Sequence, residues 1–153
     1  MIAVDTNILV YAHRADSPHH AAASAAMSAC AQSRLAWGIP WPCIHEFFAI
    51  VTHQRIYNPP TPPAMALDQV NAWLESPSLV LLAETGTHWP TLQAMLADAQ
   101  TLGPAVHDAR IAALCLQHGV RELWSADRDF RCFAGLKVVN PLGNAAAASK
   151  ELE

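Results

Sequence analysis

Two aspartates follow short segments that have the character of buried strands. Asp5 comes directly after the apolar segment 1–4, and Asp127 lies two residues beyond the segment 122–125. In open parallel sheets ligands bind outside the carboxyl ends of the strands, so both carboxylates are candidates for chemistry. The alternative is that each aspartate caps a following helix or turn, as strand-end aspartates often do. The two positions alone leave both interpretations open.

Two further acids lie on predicted helices. Successive helical residues advance by about 100°, which places Asp108 between Ile111 and Cys115 on the core side of its helix. It also stands in the first turn, where the helix dipole favours an anion. Glu46 belongs to the apolar helix 43–51 and lies just beyond the rim of its apolar arc. From there the glutamate can reach over the edge of a sheet.

Four carboxylates on four separate elements would repel one another unless a cation lies among them. Oxygen-only ligands suit Mg²⁺ or Mn²⁺, which also bind substrate phosphate oxygens. Metal-assisted hydrolysis of a phosphodiester is the reaction that this set favours, with a water as the attacking group. The predicted catalytic and metal-binding residues are Asp5, Glu46, Asp108 and Asp127.

Other catalytic motifs were weighed against the same residues. His45 and Glu46 begin a zinc-protease pattern, but Ala49 stands where the second histidine is required. A phosphatase with Asp5 as its nucleophile stays open as an alternative, although it would need a second aspartate where the chain has Asn7. Neither of the glycine-rich phosphate-binding motifs of nucleotide-binding proteins is present.

The composition limits the class of protein. The chain has 153 residues, with 9 Lys and Arg against 13 Asp and Glu, a net charge of −4 and 52% hydrophobic residues. This excludes a disordered chain and a protein that holds nucleic acid by a bulk basic field. Four isolated cysteines and no recognisable secretory leader predict a cytoplasmic protein. No apolar run approaches the length of a membrane helix, so we expect no membrane association.

The apolar segments alternate with helical ones along the chain. Strands are predicted at 1–4, 35–38, 79–82, 122–125 and 136–140. Helices are predicted at 7–15, 19–34, 42–56, 64–75, 89 to about 101, and 106–118. This alternation is typical of an α/β fold whose parallel strands are joined by right-handed crossovers. Residues 143–153 are predicted to form a flexible tail, whose last residues are typical of an expression tag.

Several segments together resemble the PIN-domain ribonucleases, and more closely the VapC-type toxins. The matching segments are Val4 to Ala12, Glu46 in its apolar helix, His107 to Leu114, Ser125 to Phe130, and Val138 to Leu142. They occur in the family's order and cover residues 1–142, which we take as one PIN-like domain. The resemblance implies a three-layer α/β/α fold around a central parallel sheet of about five strands.

The resemblance also implies Mg²⁺- or Mn²⁺-dependent cleavage of RNA by an endoribonuclease. The family's acidic site maps onto Asp5, Glu46, Asp108 and Asp127, with Asp129 as an outer member. The polar positions that support the acids in the family map onto Thr6, Asn7 and Ser125. A PIN-like module that binds without cleaving is an alternative.

Members of the family generally form homodimers and are neutralised by a small antitoxin of the VapB type, whose C-terminal segment lies over the active site. This chain departs from a typical nucleic-acid binder because it is poor in Lys and Arg. The cations nearest the motifs, and therefore the predicted substrate-binding residues, are Arg14, Arg110 and Arg128. We expect affinity for RNA to be modest and metal-dependent.

Overall fold

The computed structural model describes residues 1–143. Apart from Gly143, the predicted tail lies outside the described residues. The described part contains one parallel sheet with the strand order β3-β2-β1-β4-β5. Its strands are β1 (Ile2–Val4), β2 (Trp37–Pro40), β3 (Leu79–Leu82), β4 (Glu122–Trp124) and β5 (Lys137–Val139). The predicted five-stranded parallel sheet is confirmed.

Six α-helices connect these strands. They are α1 (Thr6–His13), α2 (His20–Gln32), α3 (Trp41–Val51), α4 (Pro63–Leu74), α5 (His88–Asp98) and α6 (Ala105–Gln117). The chain moves outward from β1 to β3 and then crosses back to β4. Because such crossovers are right-handed, this reversal places α1 to α4 on one face and α5 and α6 on the other. The three-layer α/β/α architecture is therefore confirmed.

The reversal of strand order positions the site. β1 lies between β2 and β4, and Val4 pairs in register with Trp124. The backbone N–H of Asp5 donates to the carbonyl of Trp124 over 2.9 Å, so the ends of β1 and β4 are held side by side. The crevice at such a switch point is where open α/β sheets bind ligands. Asp5 and Ser125 are the residues that directly follow β1 and β4 at this switch point.

Strand β2 begins and ends two residues later than predicted, at Trp37–Pro40 rather than 35–38. A proline disfavours a strand because it cannot donate a ladder hydrogen bond. Here β1 pairs with β2 only as far as Gly38, so Pro40 takes no part in the pairing of these two strands. Pro40 then precedes α3 directly.

Helix α3 ends at Val51, five residues before the predicted end. The carbonyl of Val51 accepts a hydrogen bond from the backbone N–H of Thr61 at 2.7 Å, so a returning loop takes the acceptor that the next helical turn would need. The hydroxyl of Thr52 donates to the carbonyl of Phe48 over 2.7 Å and helps to close the end. None of the helices within residues 1–143 combines the length and apolar character needed to cross a bilayer.

Candidate active site

Asp5 is almost completely enclosed, with 4% of its surface exposed. Its Oδ1 accepts a hydrogen bond from the backbone N–H of Thr6 at 2.7 Å and so caps helix α1. Its Oδ2 accepts from the hydroxyl of Ser125 at 2.7 Å and from Nδ2 of Asn7 at 3.2 Å. Both interpretations of this strand-end aspartate therefore hold, because the side chain that caps the helix also lines a cleft at the edge of the sheet.

Asn7 and Ser125 link the two strand ends beneath the cleft. Nδ2 of Asn7 donates to Oγ of Ser125 at 3.2 Å, and Oδ1 of Asn7 accepts from the backbone N–H of Ala126 at 3.2 Å. The same Ser125 oxygen accepts from the backbone N–H of Asp127 at 3.0 Å. These bonds hold Asp5 in a fixed position relative to the turn that carries Asp127.

Thr6 connects α1 to the acid on α3. Its hydroxyl donates to Oε2 of Glu46 over 2.6 Å, across 40 residues of sequence. Thr6 is buried and Glu46 is half-buried, so the bond fixes the glutamate at the rim of the cleft. All three predicted supporting residues thus hydrogen-bond to a predicted metal-binding acid.

Three aspartates form a tight group on the other side of the cleft. Asp108, Asp127 and Asp129 can each offer one oxygen within 4.8 Å of the others. Asp108 is half-buried in the first turn of α6, and Asp129 is exposed. Oδ1 of Asp127 accepts from the backbone N–H of Asp129 at 2.8 Å and caps a short 3₁₀ helix, Arg128–Cys132, that the sequence did not predict.

The structure brings the four predicted acids to one cleft of about 280 Å³. They come from four separate elements, and all of them line it: Asp5, Glu46, Asp108 and Asp127. Asp129 instead lines a neighbouring cleft of about 440 Å³, which shares Asp108 with the first. The role of each acid as a metal ligand, including that of Asp129 as an outer member, stays a prediction.

The cleft is unfavourable to bare negative charge. The pKa of Asp5 is raised to about 6, mainly because the carboxyl group is buried; the charge of Glu46 acts in the same direction, and hydrogen bonds from Ser125 and Thr6 act in the opposite direction. A carboxyl group in this state gains from any cation that enters. The structure therefore supplies an electrostatic reason for metal binding at Asp5.

The pKa of Asp108 is raised as well, and more of the neighbouring carboxylates contribute to its shift than at Asp5. Burial raises its pKa first, and the carboxylates of Asp127, Glu46 and Asp129 raise it further. All of these ligands are oxygens, which is the donor set that Mg²⁺ and Mn²⁺ prefer over softer metals. A divalent cation fits the chemistry of this cluster.

The three predicted substrate-binding arginines have different surroundings. Arg14 is bound to Asp16 through two hydrogen bonds of 2.9 and 2.6 Å and is mostly buried. Arg110 forms an ion pair with Glu84 that holds the pKa of that carboxyl below its usual range. Arg128 is exposed and lines the neighbouring cleft with Asp108. Of the three, only Arg128 faces a cleft with an acid of the site.

Sequence reasoning missed three residues that contact the site. The thiol of Cys43 lies 3.6 Å from Oδ1 of Asp5, within sulfur hydrogen-bond distance. Tyr11 and Tyr57 line the cleft with the acids. Helical spacing could have found Cys43, which precedes Glu46 by one turn of α3, and Tyr11, which follows Asn7 by one turn of α1. Tyr57 lies in a loop and gives no such signal.

An acidic cluster at the carboxyl edge of a parallel sheet places the chain in a class, the α/β proteins with a cleft that could hold a divalent cation at the switch point of the sheet. Comparison with known families narrows the class, because residues 2–136 match the model of the PIN domain. Ribonuclease VapC43 from Mycobacterium tuberculosis is 34% identical over 142 residues, covering 93% of this chain and 96% of the relative. Ribonuclease VapC48 from the same species is 30% identical over 138 residues, covering 90% and 94%. The chain belongs to the PIN-domain family and, within it, to the VapC ribonucleases.

Solved structures give the same fold. VapBC2 from Rickettsia felis, determined with a DNA fragment from the promoter, matches with a TM-score of 0.68 and 16% identity, covering 92% of this chain and 98% of the matched chain. VapC20 from Mycobacterium tuberculosis, a toxin that cleaves the sarcin-ricin loop, matches with a TM-score of 0.64 and 16% identity, covering 90% and 99%. At this identity the likeness carries the fold alone.

Proposed function

We propose that the protein is the toxin of a toxin–antitoxin pair, an endoribonuclease that hydrolyses RNA phosphodiester bonds with a divalent metal. The observation that carries the proposal is the convergence of Asp5, Glu46, Asp108 and Asp127 on one cleft at the switch point of the sheet. The names of the relatives, which are ribonucleases of the VapC family, support the same activity.

The metal is Mg²⁺ or Mn²⁺, and the chain's acids hold it. Asp108, Asp127 and Asp129, whose oxygens lie within 4.8 Å of one another, would hold the ion together with Asp5 and Glu46, which line the same cleft as Asp108 and Asp127. When bound, the ion polarises the phosphoryl group and lowers the pKa of a coordinated water. Because the site has several acids and few basic side chains, a substrate phosphate can bind there only when the metal is bound.

The remaining residues orient the acids and handle the proton. Four donors surround Asp5, so its carboxylate is held rigid rather than free to attack phosphorus. This disfavours the phosphatase alternative, in which Asp5 would be the nucleophile. Oε2 of Glu46 is taken by the hydroxyl of Thr6, while Oε1 has no hydrogen-bond partner within residues 1–143. We assign Oε1 as the atom that accepts a proton from the attacking water.

Individual basic side chains, rather than a broad basic surface, bind the substrate phosphates. Arg128 follows Asp127 directly and is exposed beside the aspartate group, so it is positioned to contact a phosphate next to the one that is cut. Arg14 and Arg110 are engaged by Asp16 and Glu84, and we assign them to holding the walls of the site. This division keeps the affinity for RNA modest.

A small antitoxin of the VapB type is the proposed protein partner. Two of the structural neighbours are described as VapBC complexes bound to DNA, one from Rickettsia felis and one from Salmonella typhimurium. We propose in addition that the chain forms a homodimer and acts in the cytoplasm, as the sequence predicts. Size-exclusion chromatography with light scattering, with and without the co-expressed antitoxin, tests both associations.

Purified protein incubated with single-stranded and structured RNA tests the activity. Cleavage is expected with Mg²⁺ or Mn²⁺, is expected to stop with EDTA, and is expected to be lost in Asp108→Asn without loss of the fold. Because water attacks, the products should lack a 2′,3′-cyclic phosphate, which attack by the neighbouring 2′-hydroxyl would leave. Metal binding without cleavage of any RNA would instead favour the inert PIN-like module.

A further inference from the structure

Tyr57 lies in the loop after α3, and the guanidinium of Arg14 covers its ring. The guanidinium carbon is 4.3 Å from the centre of the ring, a cation–π contact. Tyr57 also lines the acidic cleft, and its side chain is half-buried. The ring is therefore covered by a cation and at the same time borders the space where the acids converge.

Arg14 is itself fixed in this position. Its Nε and Nη2 donate to the two oxygens of Asp16, and its Nη1 donates to the hydroxyl of Thr61 at 3.2 Å. The side chain is 11% exposed. The cation is thus not free to bind a phosphate, and its planar group also contacts the tyrosine ring. A guanidinium fixed in this way presents a flat surface against which the Tyr57 ring packs.

The lining of the cleft favours an uncharged, planar ligand beside this ring. The described residues that line it include four acids and no lysine or arginine. A phosphate in this cleft would meet four acids, and the nearby cation of Arg14 is already paired with Asp16, whereas a nucleobase carries no charge and offers a flat π surface. Aromatic side chains commonly bind single-stranded RNA by stacking on its splayed bases.

We propose that Tyr57 is a substrate-binding platform that stacks on a nucleobase of single-stranded RNA next to the phosphate that is cut. The proposal rests on the proposed ribonuclease function and adds a subsite to it. Tyr57 selects for an unpaired base at that position, because a base within a duplex cannot present its face to the ring. Arg14 acts as a positioning residue that keeps the ring in place.

Binding of two fluorescent ribo-oligonucleotides tests the proposal, with Ca²⁺ as a divalent ion that favours binding over cleavage. One is a ten-nucleotide adenosine oligomer, and the other is the same backbone with abasic riboses. The wild-type chain is expected to bind the adenosine oligomer more tightly. Tyr57→Leu should lose about tenfold in affinity for that oligomer and nothing for the abasic one, and Tyr57→Phe should behave as wild type.

Two outcomes would overturn the inference. One is an unchanged affinity of Tyr57→Leu for the adenosine oligomer, and the other is an equal loss on both oligomers, which would indicate a backbone contact. The wild-type comparison of the two oligomers needs no variant, so equal wild-type affinities also overturn it even if Tyr57→Leu fails to fold. A wild type that cleaves RNA but gives any of these results leaves the proposed function intact, whereas one that neither binds nor cleaves RNA contradicts both.

Discussion

The hydroxyl of Ser125 donates a 2.7 Å hydrogen bond to Oδ2 of Asp5, joining the residue after β4 to the residue after β1. Both side chains are buried, with 2% and 4% of their surfaces exposed. A hydrogen bond to a buried carboxylate favours the ionised form, which is the form that binds a metal. The site thus depends on a residue 120 positions away in the sequence.

Replacing Ser125 by alanine should weaken metal binding. The change removes a donor worth about 1 to 2 kcal/mol from a buried carboxylate and moves the pKa of Asp5 further up. We expect roughly a tenfold loss in Mn²⁺ affinity at neutral pH, as measured by calorimetry. Ser125→Thr keeps the hydroxyl and serves as the matched control. A variant Ser125→Ala with wild-type affinity would show that the bond does not hold the acid for metal.

The raised pKa of Asp5 should make stability depend on pH in the metal-free protein. Its folded pKa of about 6 exceeds the ordinary value of 3.8, so between these values the folded state binds more protons than the unfolded state. The contribution of Asp5 to stability therefore decreases as pH rises through this window, by about 3 kcal/mol in total. Urea unfolding from pH 4 to 8 should show this fall in the wild type.

The matched variant for that experiment is Asp5→Asn, which cannot ionise. The difference in unfolding free energy between wild type and variant isolates Asp5 from the other carboxyl groups. We expect the difference to change between about pH 4 and pH 6 and to be flat above that range. The affinity of the metal-free wild type for Mn²⁺ should fall as pH drops through about 6, because a proton must then leave Asp5 before a cation binds. A difference independent of pH would contradict the burial argument.

Thr6→Val should lower the cleavage rate more than it lowers stability. The valine keeps the shape of the side chain but removes the hydroxyl that donates to Oε2 of Glu46. Without this bond the glutamate loses its fixed orientation, and we expect kcat to fall about tenfold, which is part of the roughly 100- to 10,000-fold that a positioned proton acceptor supplies. Thr6→Ser retains the hydroxyl and should restore most of the rate. If Thr6→Val and Thr6→Ser cleaved RNA at the same rate, the hydrogen bond from Thr6 to Glu46 would have no role in the reaction.

Variants of two arginines distinguish a side chain that contacts the substrate from one that only supports the structure around the site. Arg128→Ala should raise KM and reduce the salt dependence of RNA binding by roughly one phosphate contact. Arg110→Ala breaks a half-exposed ion pair with Glu84, which is worth about 0 to 1 kcal/mol in stability, and should leave KM within about twofold. The reverse pattern would mean that Arg110 releases Glu84 to bind RNA.

The sequence predicted elements best where a continuous apolar run lies between polar loops. The bounds of β3, Leu79–Leu82, match the prediction residue for residue. It was least accurate where a distant contact decides the end of an element, as at Val51, whose carbonyl is taken by Thr61. The 3₁₀ helix after β4 depends on the side chain of Asp127 accepting from Asp129, which spacing alone does not indicate.

The residues of the candidate site also divide into those that the sequence could predict and those that it could not. The four acids were identified because carboxylates at strand ends and on inward helix faces need a counter-charge. Tyr57 could not be identified, because its position at the cleft depends on contacts between distant segments, such as those of Arg14 with Tyr57 and Thr61. For Arg14 and Arg110 the sequence indicated a nearby cation but not its acidic partner, since those pairings are set by side-chain geometry.

Titration of Mn²⁺ into the metal-free protein tests the central claim most directly, namely that the acids of the cleft together hold a divalent cation. Calorimetry should show saturable binding at millimolar concentrations or below for the wild type. Asp108→Asn and Asp127→Asn should each lose binding, and Asp98→Asn, an acid outside the cleft, should bind as the wild type does. Binding that is absent in the wild type, or unchanged in both cleft variants, would contradict the account.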